Sequence, residues 1–159
     1  MKLPEVPELG HVGYMVDSVD DCAKMFGTLW GIDDFVVYDF VPQRVWAYGE
    51  EIFDCKLRIA MGTPKVGPKI ELIQYVSGTN LVMNNFVKEK GQNIHHVAYY
   101  LDTYEEYNAW KDHALELGGS IIFEAEVEDE VMGKRSSFYC EYPGIPGVFE
   151  FSKRPTKLK

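Results

Sequence analysis

Two stretches of this chain, HVGYMVDSVDD at residues 11–21 and HVAYYLDTYEE at residues 96–106, match without a gap at an offset of 85 residues. His, Val, Tyr and Asp are identical at four places, and Gly/Ala, Val/Leu, Ser/Thr and two Asp/Glu pairs are conservative exchanges. A match of this length marks two copies of one supersecondary unit. Within each copy, strict alternation over the first seven residues predicts a strand. Val12, Tyr14 and Val16 lie on one face, as do Val97, Tyr99 and Leu101, which sends His11 and His96 to the other. His95, directly before His96, then falls off that face, where it packs or meets solvent.

Ser18 and Thr103 follow the strands as helix N-caps, with Asp21 and Glu106 three residues on, where a carboxylate answers the cap and the helix dipole. Val19, Cys22, Ala23, Phe26 and Leu29 keep helical spacing up to Gly31; Tyr107, Trp110, Ala114 and Leu117 do so up to Gly118 and Gly119. FVVYDFV, CKLRIAM and KIELIQYV follow in the first half, and SIIFEAEV, SSFYCEY and GVFEFS in the second, each reading as a strand. Each half is thus strand, helix, then three strands. Between them NLVMNNFVKEKG, residues 80–91, reads as a short bridging helix, and VPQRVWAYGEE, residues 41–51, fits either a hairpin or a flap.

The last strand of each half carries a glutamate inside an apolar run, Glu71 in KIELIQ and Glu150 in VFEFS, 60 and 54 residues after their histidines. A lone buried carboxylate costs several kcal/mol unless it is paired or coordinated, so each glutamate needs a partner. If the last strand of each half lies beside its first, two His and two Glu converge. Such a nitrogen and oxygen set suits a divalent metal ion, Zn, Co, Ni, Mn or Fe, and leaves positions for substrate oxygens. A lone strand histidine is more often a core or surface residue; its recurrence with a glutamate in both halves favours the ligand reading. Gly13 and Ala98, two residues past the histidines, leave space beside them.

Composition sets the partners. With 46% apolar and 26% charged residues the chain is ordinary for a folded domain. Its net charge of −9 would repel nucleic-acid phosphates and anionic membranes, which leaves a small-molecule or protein partner. Cys22, Cys55 and Cys140 are odd in number and show no CxxC pairing, which fits a reducing, cytoplasmic setting. No apolar window has signal-peptide or membrane-span length. The basic tail, Lys153, Arg154, Lys157 and Lys159, reads as a frayed terminus or a contact to an anionic substrate.

HVGYMVDSVDD, KIELIQ, IHHVAYYLD and GVFEFS resemble the vicinal oxygen chelate superfamily, which includes glyoxalase I, methylmalonyl-CoA epimerase, extradiol dioxygenases and bleomycin-binding proteins. The order KIELIQYVSGTN, short helix, GQNIHHVAYYLD looks most like the epimerase. The resemblance implies an α+β fold in which two tandem βαβββ modules form a curled mixed sheet around a shared cavity. It implies one domain over residues 1–159, with module one at about 8–77, a connector at 78–92 and module two at about 93–154. The metal ligands map to His11, Glu71, His96 and Glu150.

The implied activity is a metal-dependent isomerase or lyase that moves a proton α to a carbonyl, with Glu150 the first candidate base and Glu71 the second. The substrate would be an acyl-CoA or a related carboxylated compound, and the family habit implies a homodimer. Glyoxalase I activity on a glutathione hemithioacetal and a non-catalytic binding protein of the bleomycin-resistance type are the alternatives. An extradiol dioxygenase fits less well, because oxygen activation typically uses two His and one carboxylate. The position that supplies a second carboxylate in some epimerases aligns near Arg58, which could instead hold a carboxylate or phosphate, as could Lys134 and Arg135 in a MGKRSSF loop at 132–138. Tyr100, Trp46 and Tyr48 are candidate pocket aromatics, Tyr100 foremost.

Overall fold

The computed structural model describes residues 4–79, 81–129 and 133–154. In the first half β1 (Glu8–Met15) leads into α1 (Val19–Trp30), followed by β2 (Val36–Phe40), β3 (Arg44–Ala47), β4 (Glu50–Ile52), β5 (Lys56–Gly62) and β6 (Lys69–Ser77). Helix α2 (Leu81–Lys90) bridges to β7 (Asn93–Leu101), α3 (Tyr104–Glu116), β8 (Ser120–Asp129), β9 (Gly133–Tyr142) and β10 (Ile145–Lys153). The described strands form one mixed sheet in the order β2-β5-β6-β1-β7-β10-β9-β8-β3-β4. The expected α+β architecture is present. β1 runs parallel to β6, β7 runs parallel to β10, and β1 meets β7 antiparallel at the centre.

Both helix starts follow the capping chemistry. The Ser18 side chain accepts from the Asp21 backbone N–H, and Thr103 forms a reciprocal capping box with Glu106. α1 lays Val19, Cys22, Ala23 and Phe26 against Val16, Ala60 and Leu72 on one outer face of the sheet. α3 lays Tyr107, Trp110 and Ala114 against Leu101, Phe138, Cys140 and Phe151 on the other half. Leu29 and Leu117, expected on these apolar faces, are both more than half exposed. They occupy the last turn of α1 and the C-cap of α3, where Gly31 and Gly118 divert the chain.

The inner face of the curl carries a third apolar cluster drawn from both halves, with Met15, Leu57, Ile59 and Ile73 meeting Phe123, Ala125, Tyr139 and Val148. Val82, Met83 and Phe86 of α2 pack into this cluster, so the connector helix contributes to the shared interior. Asn80, the first residue of the expected helix, lies outside the described residues.

Residues 41–51 form a hairpin, not a flap. β3 and β4 join through Tyr48 and Gly49, both at positive φ (51° and 81°), as a two-residue turn with right-handed strand twist demands. Although β3 follows β2 after three residues, it pairs with β8 at the opposite end of the sheet. Residues 41–43 therefore strap one edge of the curl to the other. The Gln43 backbone N–H donates to the Glu126 carbonyl of β8 (3.0 Å), the Gln43 side-chain oxygen accepts from the Glu128 N–H (2.6 Å), and the Gln43 amide nitrogen donates to the Glu128 carbonyl.

Candidate metal centre

Strand register brings the four candidate ligands together. Glu71 on β6 sits beside Gly13 on β1, Glu150 on β10 beside Ala98 on β7, and the central pair sets His11 opposite Ala98 and Gly13 opposite His96. Each histidine thus faces a small residue across the β1–β7 seam, and each glutamate flanks that seam. All four side chains are buried.

One ligand atom from each residue lies within 4.8 Å of the others. His11 Nε2 is 3.1 Å from His96 Nε2, 3.1 Å from Glu71 Oε2 and 3.0 Å from Glu150 Oε2. His96 Nε2 is 3.2 Å from Glu71 Oε2 and 3.0 Å from Glu150 Oε2. Ligand atoms bound about 2.1 Å from a shared ion stand roughly 3.0–3.4 Å from one another, which is the spacing found here. Glu71 Oε2 is buried and makes no hydrogen bond despite its short distances to both imidazoles. An oxygen aimed at a common centre, not along an N–H, has this property. With two nitrogens, two oxygens and two carboxylate charges, the set fits a divalent cation.

Electrostatics point the same way. Burial disfavours the charged form of all four groups. For His11 and His96 the adjacent carboxylates overcome that penalty and raise the pKa; for Glu71 and Glu150 the histidines overcome it and lower the pKa. Without a cation, protons shared among these groups balance the buried charge, and a metal would displace them.

The far side of each imidazole is also engaged. His11 Nδ1 lies 2.8 Å from the Tyr100 hydroxyl, and His96 Nδ1 lies 3.0 Å from His95 Nδ1. The Tyr139 ring meets His96 edge-on at 5.0 Å between centroids. Alternation places His95 on the opposite face, but a register shift between β1 and β7 leaves it unpaired beside His96, and its ring is buried on the inner side, edge-on to Phe86 of α2 at 4.7 Å. Burial first, and then the neighbouring His96 charge, push its pKa down to about 3.

His11, Glu71 and Glu150 open into a cavity of about 320 Å³ between the two halves. Lys69, Arg135 and Arg154 bring positive charge to its lining, and Tyr38, Tyr100 and Tyr139 bring rings. Of the four residues singled out for substrate, Tyr100 and Arg135 line this cavity and Arg58 and Lys134 do not. Arg58 lies between the inward-facing Leu57 and Ile59, so it points outward and pairs with Asp20 of α1 at 3.1 Å. Residues 133–135 belong to β9 and are not a loop; Lys134 alternates away from Arg135, to 3.9 Å from Glu126 and 5.7 Å from the Tyr104 ring. Met132 lies outside the described residues.

Trp46 is also away from the cavity, under the Arg44 guanidinium, and Tyr48 is exposed at the hairpin turn. Arg154 is not frayed: it pairs with Glu8, lies 3.5 Å from Asp102 and stacks 5.0 Å over Tyr100, while Lys157 and Lys159 lie outside the described residues. Sequence reasoning did not single out Lys69, Tyr38 or Tyr139. For Lys69 the signal was available, since it shares the face of Glu71 two residues on.

Comparison with known proteins supports this architecture. The chain is 15% identical to methylmalonyl-CoA epimerase from Mycobacterium tuberculosis, with a TM-score of 0.63 over 98% of this chain and 94% of that one. A hypothetical protein from Bacillus halodurans matches at 19% identity and TM-score 0.63, over 98% and 99% of the two chains. The Streptomyces coelicolor methylmalonyl-CoA epimerase, in complex with 2-nitronate-propionyl-CoA, matches at 13% identity and TM-score 0.61, over 96% and 100%. None of the curated proteins matches. Residues 10–129 match the family model described as the glyoxalase/bleomycin resistance protein/dioxygenase superfamily. The chain therefore belongs to the glyoxalase/bleomycin resistance protein/dioxygenase superfamily.

Proposed function

We propose that this protein is a metal-dependent enzyme that moves a proton α to a carbonyl, in the manner of an epimerase, on an acyl-CoA or related carboxylated substrate. The reading rests above all on the two-His, two-Glu cluster opening into a cavity whose lining also carries Lys69, Arg135 and Arg154. A divalent ion held by His11, Glu71, His96 and Glu150 would stabilise negative charge developing on the substrate's carbonyl oxygen, an effect worth several kcal/mol. The protein side chains do the rest. Glu150 is the first candidate to take the proton from carbon, and Glu71, reaching the same cavity from the other half, is the candidate to return it. Arg135 and Lys69 would hold a carboxylate or phosphate of the substrate, and Tyr100 packs beside it. Methylmalonyl-CoA epimerases among the structural neighbours, one of them with bound methylmalonyl-CoA, make acyl-CoA thioesters the first substrates to try.

The metal-loaded protein should exchange the α-hydrogen of an acyl-CoA, methylmalonyl-CoA first, for deuterium from D₂O, with inversion at that carbon. Glu150→Gln, assayed at metal concentrations shown to load the site, should lose exchange. Turnover of methylglyoxal plus glutathione with every acyl-CoA inert would instead assign the lyase activity. Neither exchange nor turnover with either class, in protein shown to hold metal, would overturn the enzymatic reading.

A further inference from the structure

We propose that His95 is a positioning residue for the metal centre: its Nδ1 accepts a hydrogen bond from His96 Nδ1–H and thereby fixes the tautomer and ring plane of His96. The proposal rests on the metal-centre reading and adds a residue to it. His96 Nε2 faces His11, Glu71 and Glu150 at 3.0–3.2 Å, so it must offer a lone pair to a metal, and the ring proton must then sit on Nδ1. That nitrogen lies 3.0 Å from His95 Nδ1. Two imidazole nitrogens at this distance share one proton, so His95 Nδ1 is the acceptor and His95 carries its own proton on Nε2. Metal-bound histidines are regularly held through their second nitrogen by a carboxylate, carbonyl or water; here a neutral imidazole fills that place.

The arrangement is built, not incidental. His95 is 4% exposed, its ring is braced edge-on by Phe86 of α2, and the Tyr139 ring lies 6.1 Å away. The two histidines are adjacent on β7, where a register shift against β1 interrupts the alternation, and their rings meet at 5.2 Å and 84°. His11 is held in parallel fashion by Tyr100, so both imidazoles have a partner behind them, one from the preceding residue and one from the neighbouring strand.

The test compares His95→Phe, which keeps a ring and removes the acceptor, with His95→Asn, whose Oδ1 can stand where Nδ1 does. Apo protein is titrated with Co²⁺ and followed by the metal's visible absorption, with far-UV circular dichroism as the folding control. His95→Phe should bind 10- to 100-fold more weakly, with a shifted visible band, as for other losses of a partner behind a ligand. His95→Asn should recover both affinity and band, and His96→Ala should bind no metal with measurable affinity. Wild-type binding with an unaltered His95→Phe overturns the positioning role alone, as does a His95→Asn variant no better than His95→Phe. Failure of the wild type to bind Co²⁺, Ni²⁺ or Zn²⁺ overturns the metal centre and this proposal together. Should His95→Phe not fold, long-range ¹H–¹⁵N spectra of the Zn²⁺-loaded wild type decide. A protonated Nδ1 on His96 facing a bare Nδ1 on His95 supports the assignment, and the reverse overturns it.

Discussion

At Gly13 the chain has no room for one more carbon. A Cβ built there would stand 2.0 Å from His96 Cε1 and 2.3 Å from its Nε2. The opposite site on the seam, Ala98 facing His11, tolerates its methyl group, so the two halves are not exact copies where the ligands meet. Gly13→Ala should push the His96 ring off its line and weaken Co²⁺ binding on the order of tenfold or more, while the far-UV spectrum stays native. Equal affinity in wild type and variant would mean that the ring has slack the contact distances deny. The four residues of the cluster were legible in the sequence because they recur: His and Glu each return in a second apolar strand, and alternation gives both histidines the same facing. Arg58 was misplaced although alternation was available there too. Leu57 and Ile59 on either side turn it outward, so the side chain that the family resemblance would send to the cavity meets Asp20 of α1 instead. Tyr38 and Tyr139 have no counterpart that would set them apart from ordinary core aromatics.

The elements were legible where local chemistry and tertiary pairing agree. Both helix starts are of this kind, and they differ in strength: Thr103 exchanges bonds with Glu106 in both directions, and Ser18 accepts only one. Thr103→Ala should therefore destabilise the fold by about 1 kcal/mol or more, and Ser18→Ala by less, within the usual 0.5–2 kcal/mol range for lost caps. Urea unfolding of the two variants checks the ranking, and a larger loss at Ser18 would contradict it. Where pairing overrides propensity, the sequence misleads. Gly133, Lys134 and Arg135 have the composition of a turn, but they pair with Val127–Asp129 and extend β9. That extension decides which cation reaches the cavity, because only strand alternation separates Arg135 from Lys134. The hairpin at 44–52 was half legible: its glycine suits a tight turn, but a tyrosine at positive φ is uncommon and gave no advance signal.

For the molecule as a whole, each half supplies one histidine and one glutamate, so a bound ion would tie the halves across the β1–β7 seam. Stripping the metal with a chelator should lower the melting temperature, and restoring it at about 100 times its Kd should return roughly 2.7 kcal/mol of stability. A melting temperature indifferent to chelator and to added metal would argue that the buried charges are balanced by protons alone. The strap at residues 41–43 acts at the same scale. It joins β2 to the far edge of the sheet, and residues of β2 and β8 (Tyr38, Phe40, Ala125 and Val127) line the cavity on that side. The gauge of the opening is thus set by chain connectivity. Widening that side beyond what trimming Tyr38 or Phe40 would give requires the three residues of the strap to lengthen and the bonds of Gln43 to β8 to yield.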